Sequence, residues 1–166
     1  SLGIRKIIVL CPACLKCFKH FYPQVIGDTG ISVHHVAEVI YDLVKENPTI
    51  LKKVSRSITY QDPCRLARGE NVTEEPREVL DWCGAELKEM KENRQDALCC
   101  GAGGGVRTVY RDLSLQVAYN LLDMAETESI VSTCPFCVFH LNSASRKKGL
   151  TKNTTYLTNL VLDSLR

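Results

Sequence analysis

Apolar and polar positions along the chain change period repeatedly. Short runs such as RKIIVL (5–10) and ESIVST (128–133) read as buried strands, whereas VAEVIYDLVKEN (36–47) has the apolar spacing of an amphipathic helix that Pro48 stops. In order, the pattern predicts a strand at 5–10, a helix over PACLKCFKHF (12–21), a strand ISVHH (31–35), the helix 36–47 and a strand RSITYQD (56–62). A helix follows over EEPREVLDWCG (74–84), with Gly84 at its end, and AELKEMK (85–91) alternates as an edge strand does. A long helix over 110–126, the strand 128–133, a helix PFCVFHLNSASRKK (135–148), a strand TTYL (154–157) and a helix TNLVLDSLR (158–166) come next. Strands alternating with helices predict an α/β fold on a mainly parallel sheet.

The two ends of the pattern repeat each other. IIVLCPACLKCFKHFYP (7–23) resembles IVSTCPFCVFHLNSA (130–144), and HVAEVIYDLV (35–44) resembles YLTNLVLDSL (156–165). Each copy is a strand, C-P-x-C, a helix, a short strand and a helix. Only the second is preceded by a segment such as 57–127, so the sequence reads as a piece of a longer protein, starting inside an earlier repeat.

Composition narrows the class. With 166 residues, 45% of them hydrophobic, the chain can bury the core of one compact unit or of two small units sharing an interface. A net charge of +2, with no basic run longer than Arg146-Lys147-Lys148, gives no electrostatic footprint for nucleic acid or anionic lipid. No apolar run reaches the ~18–20 residues that span a bilayer and no signal-peptide pattern is present, so a cytoplasmic setting is expected.

Nine cysteines change the picture more than any bulk property. An odd number without a secretion signal favours metal binding or thiol redox chemistry over a disulfide framework. C-x-x-C between a strand and a helix sets both thiols near free backbone N–H groups and the positive end of the helix dipole, which favours thiolate for ligation or for disulfide exchange alike. Thirty-four residues separate Cys64 from Cys99-Cys100, and 33 separate that pair from Cys134, which stands three positions before Cys137. In a parallel sheet the carboxyl ends of neighbouring strands converge on one edge, where these five can meet. Adjacent Cys99 and Cys100 can serve one site only on irregular backbone, which Gly101, Gly103, Gly104 and Gly105 permit by adopting φ > 0 and offering N–H groups to sulfur. The glycines fit neither a dinucleotide fingerprint nor a phosphate loop with its G-K-[ST]. Five thiols exceed the four taken by zinc or a cubane iron–sulfur cluster, so one is a bystander or the site is larger than a cubane.

Other residues carry plainer expectations. Cys83 sits on an apolar helical face and Cys17 lacks the fourth member of a ferredoxin run, so both are expected in the core. His20, His34, His35 and His140 show no ligand spacing and are expected in solvent or core. Asp62 before Pro63 reads as a turn residue rather than an acid. Arg65, Arg68 and Arg107 either offset thiolate charge or hold an anionic substrate, or else line a solvated surface.

Together, YQDPCRLAR (60–68), ALCCGAGGGV (97–106) and STCPFC (132–137) resemble the cysteine-rich CCG domain of heterodisulfide reductase catalytic subunits. Relatives in that family include iron–sulfur subunits of glycolate and lactate oxidases and of anaerobic glycerol-3-phosphate dehydrogenase. The resemblance implies a Rossmann-like parallel sheet flanked by helices, with residues 1–54 the tail of one CCG unit and 55–166 a complete second one. It implies a noncubane [4Fe-4S] cluster on Cys64, Cys99, Cys100, Cys134 and Cys137, with Gly101, Gly103, Gly104 and Arg68 against the cofactor and no separate catalytic residue. Cys11 and Cys14, in a copy without its other cysteines, are not expected to complete a cluster. Gln61 and Arg65 stand where relatives often carry histidine.

The function implied is electron transfer between iron–sulfur, flavoprotein or cytochrome partners and a disulfide of the CoM-S-S-CoB type or an organic substrate. The setting is cytoplasmic or peripheral to a membrane-bound complex. Protein handled in air is expected to lose the cluster. Two other readings remain open at this stage: a zinc-binding assembly module, and a metal-free dithiol oxidoreductase acting through Cys134 and Cys137.

Overall fold

The computed structural model describes residues 3–165. Residues 1 and 2 of the first expected unit, and Arg166 at the end of the last predicted helix, lie outside them.

Strand β1 (Lys6–Val9) is followed by α1 (Pro12–Lys16), which runs through one wider turn, Cys17–Phe21, into α2 (Tyr22–Ile26). Strand β2 (Ser32–His35) pairs in parallel with β1 as a two-stranded sheet, Val9 opposite His35, and α3 (Val36–Glu46) leaves directly from its end. The next strand, β3 (Arg56–Gln61), leads into α4 (Cys64–Glu70), α5 (Glu74–Trp82) and the edge strand β4 (Ala85–Lys88). A loop carrying the paired cysteines reaches α6 (Val106–Val109) and α7 (Arg111–Met124). The chain then continues through β5 (Ser129–Ser132), α8 (Pro135–Lys148), β6 (Asn153–Tyr156) and α9 (Leu157–Ser164).

The four later strands form one parallel sheet in the order β4-β3-β5-β6. Successive residues of a strand face opposite ways: β5 is apolar on both faces, whereas β3 sets Ile58 and Tyr60 on one face and Thr59 and Gln61 on the other. Ile130 packs with Leu115, Leu122 and Leu141 under α7 and α8, while its neighbour Val131 packs with Val44, Val79 and Leu160 under α3, α5 and α9. The chain leaves β3 toward β4 on one side and leaves β5 toward β6 on the other. The carboxyl ends of β3 and β5 are therefore the switch point of the sheet, where α/β folds leave a crevice.

The predicted strands and helices are all present, their ends shifted by a few residues. Helix α4 is an addition: seven residues with Gly69 inside carry too little periodicity to announce it, and Asn71 in left-handed backbone closes it.

Candidate functional site

Cys64 opens α4 just past β3, Cys134 caps α8 just past β5, and Cys137 lies in the first turn of α8. With Cys99 and Cys100 they line one cavity of about 180 Å³ at the switch point, together with Arg65, Gly103 and Gly104. Pro135 at the first position of α8 suits a helix start, because its ring fixes φ where no N–H partner is available anyway.

Each approach to the cavity is clamped by polar contacts. Beyond β3, buried Asp62 accepts both Nη groups of Arg77, at 2.9 and 2.8 Å, and the backbone N–H of Arg94 at 2.9 Å. Arg77 also reaches Glu89 at 2.6 Å, so α5 and the segment after β4 are tied to the turn that presents Cys64. Asp62 is thus an ion-paired clamp within the expected turn. Gln61 accepts from Ser132 Oγ at 2.8 Å, locking the ends of β3 and β5 together. Arg68 donates to the Ala97 carbonyl, and Gln95 donates to Ala67 O at 2.8 Å, holding α4 against the chain that enters the Cys99-Cys100 loop.

The glycines divide by role. Gly101, at φ +85°, is packed so closely against α7 that a Cβ would sit 2.8 Å from the Ser114 carbonyl. Gly103 and Gly104 border the cavity. Positive φ occurs at Gly101, Gly104 and Gly105 and not at Gly103, which corrects the expectation that all four adopt it.

The sulfurs share protons. Cys99, with Cys100 and Cys64 as thiol neighbours, the latter at 3.7 Å, is held down to about 2; the Gly101 N–H at 3.4 Å and the charge of Arg68 favour its thiolate further. Cys134, approached by the Cys11 and Cys137 thiols and by first-turn amides of α8, is held down to about 3. Cys100 accepts from Cys137 at 3.2 Å, yet the Cys99 sulfur and burial push it up to about 12. Contact with Cys99 and burial raise Cys64, and contact with Cys100 and Cys134 raises Cys137. Such a set, thiols only and already partly ionised, suits a polynuclear thiolate-bound group. Among the described residues, no three His, Cys, Asp or Glu side chains gather around one point as ligands of a single metal ion.

A sixth thiol joins them. Cys11 lines the same cavity beside Cys134, whose sulfur raises the Cys11 pKa, whereas Cys14 is exposed. The repeat explains the meeting: Cys11 and Cys134 are equivalent caps of C-P-x-C helices. His35 and Tyr156, equivalent residues opening α3 and α9, both reach the Leu10 carbonyl, at 3.1 and 2.6 Å, while Tyr156 also reaches Thr133 O at 3.3 Å. The match between the two ends was the signal that could have placed Cys11 here. Cys83 is buried in the core, and Cys17 is half-buried away from the cavity. Arg107 turns its guanidinium over the Phe139 ring at 4.7 Å.

The cysteine-rich domain family CCG matches residues 58–142. The chain is 36% identical over 141 residues to a dihydromethanophenazine:CoB–CoM heterodisulfide reductase subunit of Methanosarcina mazei, covering 81% of this chain and 34% of that protein. It is 31% identical over 152 residues to a fumarate reductase (CoM/CoB) subunit of Methanothermobacter marburgensis, covering 89% and 30%. It is 33% identical over 149 residues to the EtfAB:quinone oxidoreductase of Syntrophomonas wolfei, covering 83% and 21%. The chain thus spans about a third or less of the length of these oxidoreductases. No helix among the described residues is long and apolar enough to cross a membrane. With the match running from β3 through the Cys99-Cys100 loop into α8, the chain belongs to the cysteine-rich CCG domain family.

Proposed function

We propose that the chain is the cluster-bearing part of an iron–sulfur oxidoreductase subunit of the heterodisulfide reductase kind, passing electrons between redox partner subunits and a disulfide or organic substrate. The observation that carries this reading is the meeting of Cys64, Cys99, Cys100, Cys134 and Cys137, from three separate stretches of chain, on one cavity at the switch point of the sheet. These five would hold a [4Fe-4S] group of the noncubane type. Bound there, such a group supplies one-electron transfer and a place for sulfur leaving groups to be held as thiolates.

The chain's own residues do the rest. The surroundings of Cys99 and Cys134 favour their thiolate forms, the forms that ligate metal. Gly103 and Gly104 leave the wall of the cavity free of side chains, Arg68 offsets thiolate charge, and Arg65 offers a cation to an anionic substrate. Gly101 shapes the loop from behind. Residues 1–54 form the tail of a preceding CCG unit and 55–166 a complete one, a division supported by the separate β1-β2 sheet and the repeated C-P-x-C turns.

The reading is tested by reducing anaerobically reconstituted protein with a viologen dye and adding small-molecule disulfides and thiols. A substrate-dependent change in the EPR spectrum of the iron, lost in Cys100→Ser, supports it. A spectrum indifferent to every disulfide and thiol offered sinks the disulfide assignment.

A further inference from the structure

Outside the cysteine cavity, a second place brings unpaired polar groups to one void. His140 lies one turn beyond Cys137 on α8 and is 1% exposed. Its Nε2 stands 3.0 Å from Ser114 Oγ and 3.2 Å from the Ser114 carbonyl, and Ser114 Oγ donates to the Gly101 carbonyl at 2.9 Å. With the serine hydrogen committed to Gly101, Nε2 faces two acceptors and must carry the ring proton. Nδ1 is then a bare acceptor, buried and without a hydrogen-bond partner. Buried polar atoms are almost always paired, so an orphan of this kind marks a place where a donor belongs.

The ring lines a cavity of about 30 Å³ with Arg107, Arg111, Leu115, Ser143 and Lys147. That volume admits the equivalent of about two waters, or two oxygens of a small ligand. Among the described residues, none of the three cations pairs with a carboxylate. Arg111 and Lys147 are exposed, so a ligand can enter from solvent. Burial, with Arg107 close by, holds His140 below the ordinary histidine range and so keeps the ring neutral.

A ligand that satisfies this cavity brings negative charge for the cations and a hydrogen for Nδ1. Sulfate brings only the charge at neutral pH. A phosphate group brings both, because its second ionisation lies near pH 6 and leaves a protonated fraction in place. We propose that Arg107, Arg111, Lys147 and His140 form a binding site for a phosphate group. The cations hold the anionic oxygens, with arginine forks suited to paired oxygens, and His140 Nδ1 accepts from the phosphate O–H. This binding does not depend on which group the cysteine cavity carries.

Calorimetric titration of the full chain with inorganic phosphate, methyl phosphate and sulfate at pH 7 tests it, together with ¹⁵N NMR of the histidine rings. The expected result is phosphate-group binding at least about tenfold tighter than sulfate, as a site built for a hydrogen bond rejects a ligand lacking it. The His140 Nδ1 resonance moves with the phosphate ligands and not with sulfate. Arg111→Gln combined with Lys147→Gln, both exposed and outside the core, weakens phosphate about tenfold or more while the circular dichroism is unchanged. Tighter binding of inorganic phosphate marks a free-ion site and tighter binding of methyl phosphate an ester site; either supports the proposal. No binding, or equal binding of phosphate and sulfate with His140 unmoved (an adventitious ion only), overturns it.

Discussion

Gly101 and Gly103 stand two residues apart in the same loop and differ in what one added carbon would meet. At Gly101 a Cβ would press to 2.8 Å from the Ser114 carbonyl on backbone held at φ +85°, whereas at Gly103 it would meet nothing within 4 Å. Gly101→Ala is therefore expected to lower stability by about 1–3 kcal/mol, and Gly103→Ala to leave the urea midpoint nearly unchanged. Equal effects would show that the loop does not depend on that close approach. The sequence could not separate these glycines, because the distinction is made by α7, which packs on only one of them. The paired cysteines beside them make a different prediction. Cys99→Ser or Cys100→Ser should abolish iron binding with little change in circular dichroism, and variants that retain full iron would remove those residues from the ligand set. Cys11, absent from the five-thiol set, should tolerate serine with the iron retained.

Helix α3 begins on a neutral histidine. His35 Nδ1 accepts the Ala37 N–H at 3.2 Å, Glu38 answers the His35 N–H at 2.8 Å, and the remaining ring N–H donates to Leu10 O. Burial lowers the pKa of His35 against the opposing pull of Glu38 and Cys134. An unfolded histidine takes up its proton near pH 6.5 and the folded one does not, so the unfolded state binds more protons as pH falls below that value. Stability is therefore complete above about pH 7 and declines as pH drops through 6.5 toward the lowered folded value. In denaturant melts between pH 7 and 5.5, His35→Asn, which keeps a good cap, should flatten this slope. Burial lowers His140 as well and leaves it as a remaining source of slope. A slope unchanged in the variant would exclude His35 as a contributor. At this scale most of the fold was legible, since strands and long helices announce themselves by period and by Pro48 or Gly84 at their ends. Helix α4 was not, because CRLARGE is short and draws its stability from Leu66 packing on Leu15 and Val9, contacts that no local pattern encodes.

Across the whole molecule, parallel strands, a switch point and spacings of 34 and 33 residues turn three distant cysteine motifs into one wall. That convergence was legible because a parallel sheet aims every strand end at the same edge. The arrival of Cys11 was not, although the repeat was visible. Which ends of two similar units meet is decided by tertiary contacts such as Tyr156 with Leu10, which lie 146 residues apart in sequence. The central claim is that this wall holds a polynuclear iron–sulfur group. The most direct measurement is iron, zinc and acid-labile sulfide per chain in protein purified without oxygen. About four iron and four sulfide per chain are expected, with neither retained after exposure to air. One zinc per chain without iron or sulfide would contradict it.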